Sequence, residues 1–535
     1  MKLFEIYLNI VLVFISSFVL SYDEIAPKID PYYGTQGMLI DAGSGGSRLH
    51  IFSWEPRVFK TVPPPLTLPR DNEKYTDRIS PGISDFVNDF EGLKEYLATL
   101  INFAKVSLAD KQDFWYTYPF YLRATGGMRL VPYEKRELMM SFIRELFSDK
   151  TFCPFYFQFD FARVMSGEEE AVFSWASANY LFGTLLQSIP GSGAVLKPIN
   201  GTFGTIDLGG ASAQISFFVP SQDISEGLFK LQIGSQRHWN VYSKSFLSYG
   251  HNSARQRHLQ SIANMAYNDG TDSNSISTHC YFSGFEEDFV ATIQKTHSVV
   301  EETVTIRGPH TSHNHQFDDC YEMIIPLLKK ELNVFCNVVY DNQCSMDGFY
   351  QPALPTGKID GHFIASATYK YAWAFLRMPQ GGSLTLFKER AREICSLDYT
   401  EIKKYHKSLN TTMKKDELLP YYCFITTYVA ILLEKGFGFT DQQSIRAIDT
   451  VGGHRTGWAL GSMLYEINGL PFVLEEDQSP CYYGISAGMI SGVLFGAVVM
   501  WLINSQSLFF IYPLLKASLN GYTKISDIQK DSNGV

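Results

Sequence analysis

The stretch Ile40-Asp41-Ala42-Gly43-Ser44-Gly45-Gly46-Ser47-Arg48-Leu49-His50-Ile51-Phe52 has a second version further along the chain. That version is Ile206-Asp207-Leu208-Gly209-Gly210-Ala211-Ser212-Ala213-Gln214-Ile215-Ser216-Phe217-Phe218. Laid over each other without gaps, Ile, Asp and the first Gly coincide, a turn of small residues follows, and apolar residues return at alternate positions. Each copy reads as strand, tight turn, strand. Each ends its first strand with a carboxylate. One such hairpin means little, because short glycine strings are weak motifs. The repetition at fixed register predicts two related lobes that each present an Asp beside a glycine turn. Glycines let backbone N–H groups approach phosphate oxygens closely, and a pair of carboxylates suits a hard divalent cation.

Composition sets the frame around this repeat. A chain of 535 residues exceeds one ordinary core, so two or more domains are expected. Hydrophobic residues at 45% and charged residues at 19% describe a globular chain with membrane segments. The formal net charge of −10 argues against nucleic acid as a partner, since that needs a basic surface. It also means that an anionic substrate requires a local source of positive charge, which a bound cation supplies.

Both ends carry apolar runs. Ile10 to Leu20 follows Lys2 and precedes Ser21-Tyr22-Asp23, so residues 1–21 read as a signal peptide or an N-terminal anchor. Ile485 to Ile503 has no charge and is long enough to cross a bilayer. Lys516, Lys524 and Lys530 then make 504–535 a cytoplasmic tail, with the bulk of the chain extracellular or in the secretory lumen. The eight cysteines include no C-x-x-C pair. In an oxidising compartment they suggest the pairs Cys336–Cys344, Cys395–Cys423 and Cys280–Cys320, leaving Cys153 and Cys481 unassigned. Asn200-Gly201-Thr202 and Asn410-Thr411-Thr412 fit glycosylation acceptors.

Between the ends, apolar spacing predicts helices over Phe86–Leu108, around Leu138–Leu146, and over Glu168–Leu186, Tyr321–Leu332, His362–Leu376 and Tyr422–Leu433. Phe114–Leu122 reads as a strand. Tyr249–Thr278 and Thr311–His315 read as polar loops, so His310, His313 and His315 are taken as surface residues rather than as a metal site. Glu168, Glu169 and Glu170 open a helix, where acids also serve simply to complement the macrodipole. Asp449 to Gly461 is a glycine-rich turn leading into a helix.

Five segments stand out in order: Asp41–Arg48, Arg123–Arg129, Ser166–Trp175, Asp207–Gln214 and Gly457–Leu464. Their order and wording resemble the five conserved regions of the nucleoside-triphosphate diphosphohydrolase (apyrase) family, membrane-bound ecto or Golgi type, from about Gly37 to Leu464. The resemblance implies an α/β fold with two RNase-H-like lobes of the actin–hexokinase superfamily and a cleft between them. The lobes would be 35–166, completed by 449–475, and 167–448. It implies Ca²⁺ or Mg²⁺ held, mostly through water, by Asp41 and Asp207, with Thr125 and Trp458 near the water shell. Ser44, Gly45 and Ser47 match the first phosphate loop; Gly209, Gly210 and Ala211 match the second. Glu170 matches the catalytic base, Ser212 and Gln214 the residues that orient the attacking water, and Tyr369 an aromatic that stacks on the nucleobase. Arg123 and Arg129 are left between phosphate contact and structural ion pairing.

The chain departs from the family at three places. Ala171 stands where a Gly usually follows the catalytic Glu. Gly46 replaces a larger residue of some members, which suggests extra room around the terminal phosphate. Leu418 stands where some cell-surface members carry an arginine against the base, which removes a cation–π partner. The implied activity is divalent-cation-dependent hydrolysis of nucleoside tri- and/or diphosphates at the terminal phosphate, on a nucleotide substrate, by a protein bound to a lipid bilayer through its C-terminal helix. Homo-oligomerisation is left open. The alternatives are a luminal nucleoside diphosphatase acting on UDP or GDP in support of glycosylation, and a nucleotide-binding ectodomain without turnover. A sugar kinase on the same fold is disfavoured by Glu170 accompanied by a water-holding Ser and Gln.

Overall fold

The computed structural model describes residues 34–474, apart from 71–73, 77, 190–192, 197–200, 219–225, 234–237, 270–274, 296–297, 341–342, 410–415 and 449. The segments expected to form a signal or anchor (1–21), a transmembrane helix (485–503) and a tail (504–535), together with Cys481, Asn200 and Asn410, lie outside the described residues.

Both copies of the opening motif form the hairpins that the alternation predicts. In the first sheet β1 (Gln36–Gly43) pairs antiparallel with β2 (Gly46–Ser53), which pairs with the short β3 (Lys74–Tyr75). On the other side of β1 run the parallel strands β4 (Phe120–Ala124) and β5 (Ala162–Val164), giving the order β3-β2-β1-β4-β5. The second sheet repeats the plan. There β6 (Gly204–Leu208) pairs antiparallel with β7 (Ser212–Phe218), and β7 with β9 (His238–Leu247). Beyond β6 run the parallel β10 (His362–Ala367) and β11 (Ser444–Ala447), and β8 (Leu228–Gln232) adds one strand at the edge. The order is β8-β9-β7-β6-β10-β11. Asp41 faces Arg48 and Arg123 across its two neighbours, and Asp207 faces Gln214 and Ser366. The duplication is therefore topological as well as textual.

Strand alternation then sends the two faces of each sheet to different places. Met38, Ile40 and Ala42 enter one core with Leu122 and the helices α1 (Phe90–Ser107) and α2 (Tyr133–Ser148). Ile206, Leu208, Ala213, Ile215 and Phe217 enter another, together with Tyr422–Ile431. Leu39 and Tyr121 turn the opposite way, into a third core that joins the sheets. It includes Trp239 and Val241 of β9, Val172 to Ala176 of α3 (Gly167–Leu181), and Trp458 to Ile467 of α5 (Trp458–Gly469). Asp41 and Asp207 therefore lie on the sheet faces directed away from the two private cores.

Several expectations change. Tyr249–Thr278 is not mainly loop: it carries α4 (His251–Asn268), whose buried residues Ala254, His258, Leu259, Ile262 and Ala263 form a stripe too short in apolar residues to stand out among the polar ones. His362–Leu376 divides into β10 and the helix Thr368–Phe375, because the start of this apolar run is buried on both faces of a parallel sheet. Phe114–Leu122 begins in a 3₁₀ segment ending at Thr117, with the strand starting at Phe120. Tyr321–Leu332 holds helix only to Ile324, followed by 3₁₀ turns. All three suggested disulfides are formed, and Cys153 is a buried free thiol of the first core whose burial pushes it up to about 12. Among the described residues, Asp416–Gly436 is long and apolar enough to cross a bilayer, but its most apolar stretch is 67% buried inside the protein. A separate small unit contains the parallel pair Val58–Phe59 and Val473–Leu474.

Helices α3 and α5 touch through glycine. A Cβ on Gly461 would lie 2.0 Å from the Phe173 carbonyl oxygen. Gly461→Ala is expected to cost about 1–3 kcal/mol, because packed backbones must separate. Gly469→Ala, which has no atom within 4 Å of the added methyl, should leave the calorimetric midpoint at or above that of the wild type.

Candidate active site

The two glycine turns meet. A Cβ on Gly210 would lie 2.8 Å from Ser44 Oγ, and one on Gly127 would lie 2.9 Å from Ser44 Cα. The tip of the first turn thus sits between the second turn and the segment that follows β4. A cleft of about 430 Å³ opens there, lined by Ser44, Gly127, Lys135, Gly210, Ala211 and Asn252 among others. Gly209 lies at the base of the second turn, its N–H donating to the Ser212 carbonyl at 3.0 Å. The carbonyls of Gly209 and Gly210 accept from the backbone N–H groups of His251, Asn252 and Ser253, so the first turn of α4 holds the loop in place. His251 Nδ1 also lies 3.0 Å from the Gly209 carbonyl and 2.9 Å from Thr368 Oγ1. Burial pushes this imidazole down to about 4, which keeps it neutral.

The three glutamates separate by role. Ser166 caps α3 and forms a capping box with Glu169, whose carboxylate also takes two hydrogen bonds of 2.8 Å from Arg163. Those contacts hold Glu169 below the ordinary carboxylate range against the opposing effect of burial. Glu170, one residue on, is 6% exposed. Arg129 Nη2 donates to its Oε2 at 2.9 Å and to Ser212 Oγ at 3.1 Å, while Arg129 Nη1 donates to the Met165 carbonyl at 3.0 Å. Gln214 Nε2 donates to Ser212 Oγ at 2.7 Å and to Ser245 Oγ at 3.2 Å. That leaves Gln214 Oε1 buried without a hydrogen-bond partner. An acceptor in that state calls for a donor, and a water O–H meets the need.

The electrostatics tie this group to both aspartates. Burial raises Glu170 to about 7; the Arg129 guanidinium pulls it back, and the charges of Asp207 and Asp41 push it up. Asp207 is raised as well, first by burial and further by Asp41, despite a 2.7 Å hydrogen bond from Ser366 Oγ. Three carboxyl groups from β1, β6 and α3 therefore share one field. Thr125 is buried directly after β4 and binds the Ala42 carbonyl through its N–H, beside the Asp41 strand end. Trp458 opens α5 and packs in the core between the sheets.

Three expected residues do not fit their roles. Ser47 pairs with Ala42, so alternation turns it to the private core of the first sheet. Its N–H is used by the Ile79 carbonyl and Tyr96 Oη, and the residue is fully buried. Tyr369 is also fully buried, among the second sheet's core residues, and offers no ring face to a base. Gly46 has φ +144°, and a Cβ there would meet the Ile79 carbonyl at 2.4 Å, so its small size serves the turn and not the phosphate. Conversely, Arg129 joins the site although its sequence motif left it undecided. Arg123 is structural, buried against Glu466 and the Phe161 carbonyl. Exposed Arg78 lies against the first turn, 2.7 Å from where a Gly45 Cβ would be, and its charge reaches His251. No local pattern marks Arg78, since it enters from the loop after β3.

An NMR titration should find Glu170 near 7 and Glu169 well below it. Arg129→Met should move Glu170 upward, because the largest force opposing its protonation is removed. A Glu170 that titrates as an ordinary surface glutamate would contradict the geometry.

Residues 30–480 match the model of the GDA1/CD39 (nucleoside phosphatase) family. Bos taurus ectonucleoside triphosphate diphosphohydrolase 1 is 29% identical over 463 residues, covering 83% of each chain. A Homo sapiens nucleoside diphosphate phosphatase is 26% identical over 81% of this chain and 88% of its own. Among solved structures, a nucleoside triphosphate hydrolase from Neospora caninum superposes with a TM-score of 0.56 at 15% identity, over 86% of this chain and 97% of that one. This last likeness concerns the fold.

Proposed function

The chain belongs to the GDA1/CD39 (nucleoside phosphatase) family and is a phosphoanhydride hydrolase; from that premise we propose that it removes the terminal phosphate of nucleoside tri- and diphosphates with Glu170 as general base. The observation that carries this reading is the hydrogen-bonded chain Glu170–Arg129–Ser212–Gln214, with the charges of Asp207 and Asp41 reaching Glu170. The jaws are residues 35–166, completed by 449–475, and 167–448. Ser44, Gly45, Gly209, Gly210 and Ala211 cradle the phosphates between them.

A hard divalent cation, Ca²⁺ or Mg²⁺, fits the donor set. Asp41 and Asp207 offer oxygen ligands near the ends of β1 and β6, and burial and then the Asp41 charge raise the Asp207 carboxyl. Thr125 and Trp458 border the water shell. When bound, the cation polarises the phosphate oxygens and offsets their charge.

The remaining work belongs to side chains. Gln214 Oε1 and Ser212 Oγ hold the attacking water and aim a lone pair at the terminal phosphorus. Glu170 accepts a proton from that water as the new P–O bond forms and the bridging P–O bond breaks in line, with the electron pair leaving on the shortened nucleotide. Arg129 fixes Glu170 and Ser212 relative to each other. Lys135 and Arg78 draw the phosphates toward a protein whose overall charge is negative. The methyl of Ala171 is buried within α3 and leaves the Glu170 carboxylate free to act.

Base recognition is loose in this reading. Tyr369 is enclosed, and Leu418 packs partly buried on the second core and carries no charge. The chain then acts on purine and pyrimidine nucleotides alike, in the secretory lumen or outside the cell, anchored by 485–503. The diphosphatase reading rests on the same two positions, and a nucleotide panel separates the two.

Phosphate release from ATP, ADP, UDP and GDP should vary by no more than about tenfold between bases, and excess EDTA should abolish it. Glu170→Gln should lower kcat by roughly 10²–10⁴-fold with little change in KM. Activity should fall as pH drops and protonates Glu170, with the acidic limb at or below pH 7 once a cation adds its positive field. Full turnover in chelator, or unchanged kcat in Glu170→Gln, overturns the mechanism.

A further inference from the structure

Outside the cleft, one group of side chains has the composition of a transition-metal site. His279, His313 and Asp319 each place one ligand atom within 4.8 Å of the other two. His313 Nε2 lies 3.4 Å from His279 Nδ1, His279 Nδ1 lies 3.9 Å from Asp319 Oδ2, and His313 Nε2 lies 3.7 Å from the same oxygen. The point equidistant from these three atoms is about 2.1 Å from each, which is the distance that Zn²⁺ takes to imidazole nitrogen and carboxylate oxygen. Neighbouring ligands on a tetrahedral zinc are about 3.3–3.4 Å apart, so the site needs an adjustment of at most about 0.5 Å.

Covalent structure preorganises two of the three ligands. His279 and Asp319 are the immediate neighbours of Cys280 and Cys320, which form a disulfide with a Cα–Cα distance of 4.8 Å. The third ligand is held through its backbone. The His313 carbonyl accepts from the Gln316 N–H at 3.1 Å, and the buried Gln316 side chain donates to the Tyr281 carbonyl at 2.8 Å. The neighbouring Asp318 is occupied by Arg392, at 2.9 Å, and does not compete. All three ligand side chains are between about a third and a half exposed, so a metal can enter and a water can complete the coordination. The pattern was not visible along the chain, because the loop histidine needs partners 34 residues before it and, through the disulfide, from the helix that follows.

We propose that His279, His313 and Asp319 form a zinc site, with water as fourth ligand, that fastens the loop before Gln316–Ile324 to the disulfide-bonded segment. The site differs in kind from the carboxylate cleft. Two imidazoles favour a borderline-soft ion, whereas an oxygen-only pair with water favours Ca²⁺ or Mg²⁺. The two therefore fill independently.

The test is a Co²⁺ titration of the metal-free, disulfide-intact full chain in millimolar Mg²⁺, which occupies oxygen sites and leaves imidazole sites open. One equivalent should bind with the strong visible absorption of four-coordinate Co²⁺ and be displaced by one equivalent of Zn²⁺. His313→Ala and His279→Ala should each weaken binding at least about tenfold, with circular dichroism and nucleotide hydrolysis in Mg²⁺ unchanged. His315→Ala, on the same loop, should bind as the wild type does. Absence of the band, or a band that survives both histidine substitutions, overturns the proposal. Because the readout is spectroscopic and the background is Mg²⁺, the outcome does not depend on the hydrolase mechanism.

Discussion

The arrangement turns on the repulsion that Asp207 and Asp41 exert on the buried Glu170 carboxyl. Asp41 lies near the end of β1, Asp207 near the end of β6 and Glu170 in the first turn of α3; burial raises Glu170 and Asp207, the charges of Asp207 and Asp41 raise Glu170 further, and that of Asp41 raises Asp207 further. A fold that only had to be stable would separate them or replace them with apolar groups. This one holds them together and relieves the strain partially, through Arg129 on Glu170 and Ser366 on Asp207. In the proposed reading, a hard cation and a proton-releasing water answer the remaining imbalance.

The rest of the scaffold keeps that imbalance in place. Two sheets of the same topology present equivalent strand ends to a shared core, where α3 and α5 approach closely enough for only glycine at position 461. The loops are tied down from outside the site: α4 takes the carbonyls of Gly209 and Gly210, and Ser44 is seated between Gly127 and Gly210. Rigid loops matter because a phosphoryl transfer with little covalent catalysis depends on placement. The three disulfides lie within the apolar core around the second sheet, where they cross-link the elements that build it.

Legibility followed the range of the interaction. The hairpins were readable because alternation is local, and the disulfide pairs because few cysteines were available to choose from. Elements with weak apolar signals, such as α4, and buried parallel strands, such as β10, were misread, since a run of apolar residues fits either a core strand or a core helix. Site residues divide in the same way. Asp41, Asp207, Glu170, Ser212 and Gln214 sit in motifs whose wording points to chemistry. Ser47 lies in such a motif too, but alternation turns it to the wrong face.

By itself, the sequence determined that the chain has two related halves, that each half ends a strand with an acid beside a glycine turn, and that a third acid opens a helix. These follow from bonded neighbours and from the twofold period of a strand. Tertiary structure alone decided that Arg129 binds Glu170 while Arg123 pairs with Glu466, and that Tyr369 is fully enclosed. It also brought ligand atoms of His279, His313 and Asp319 within 4.8 Å of one another. Those outcomes depend on which groups burial leaves without partners, a property that exists only once distant segments have packed.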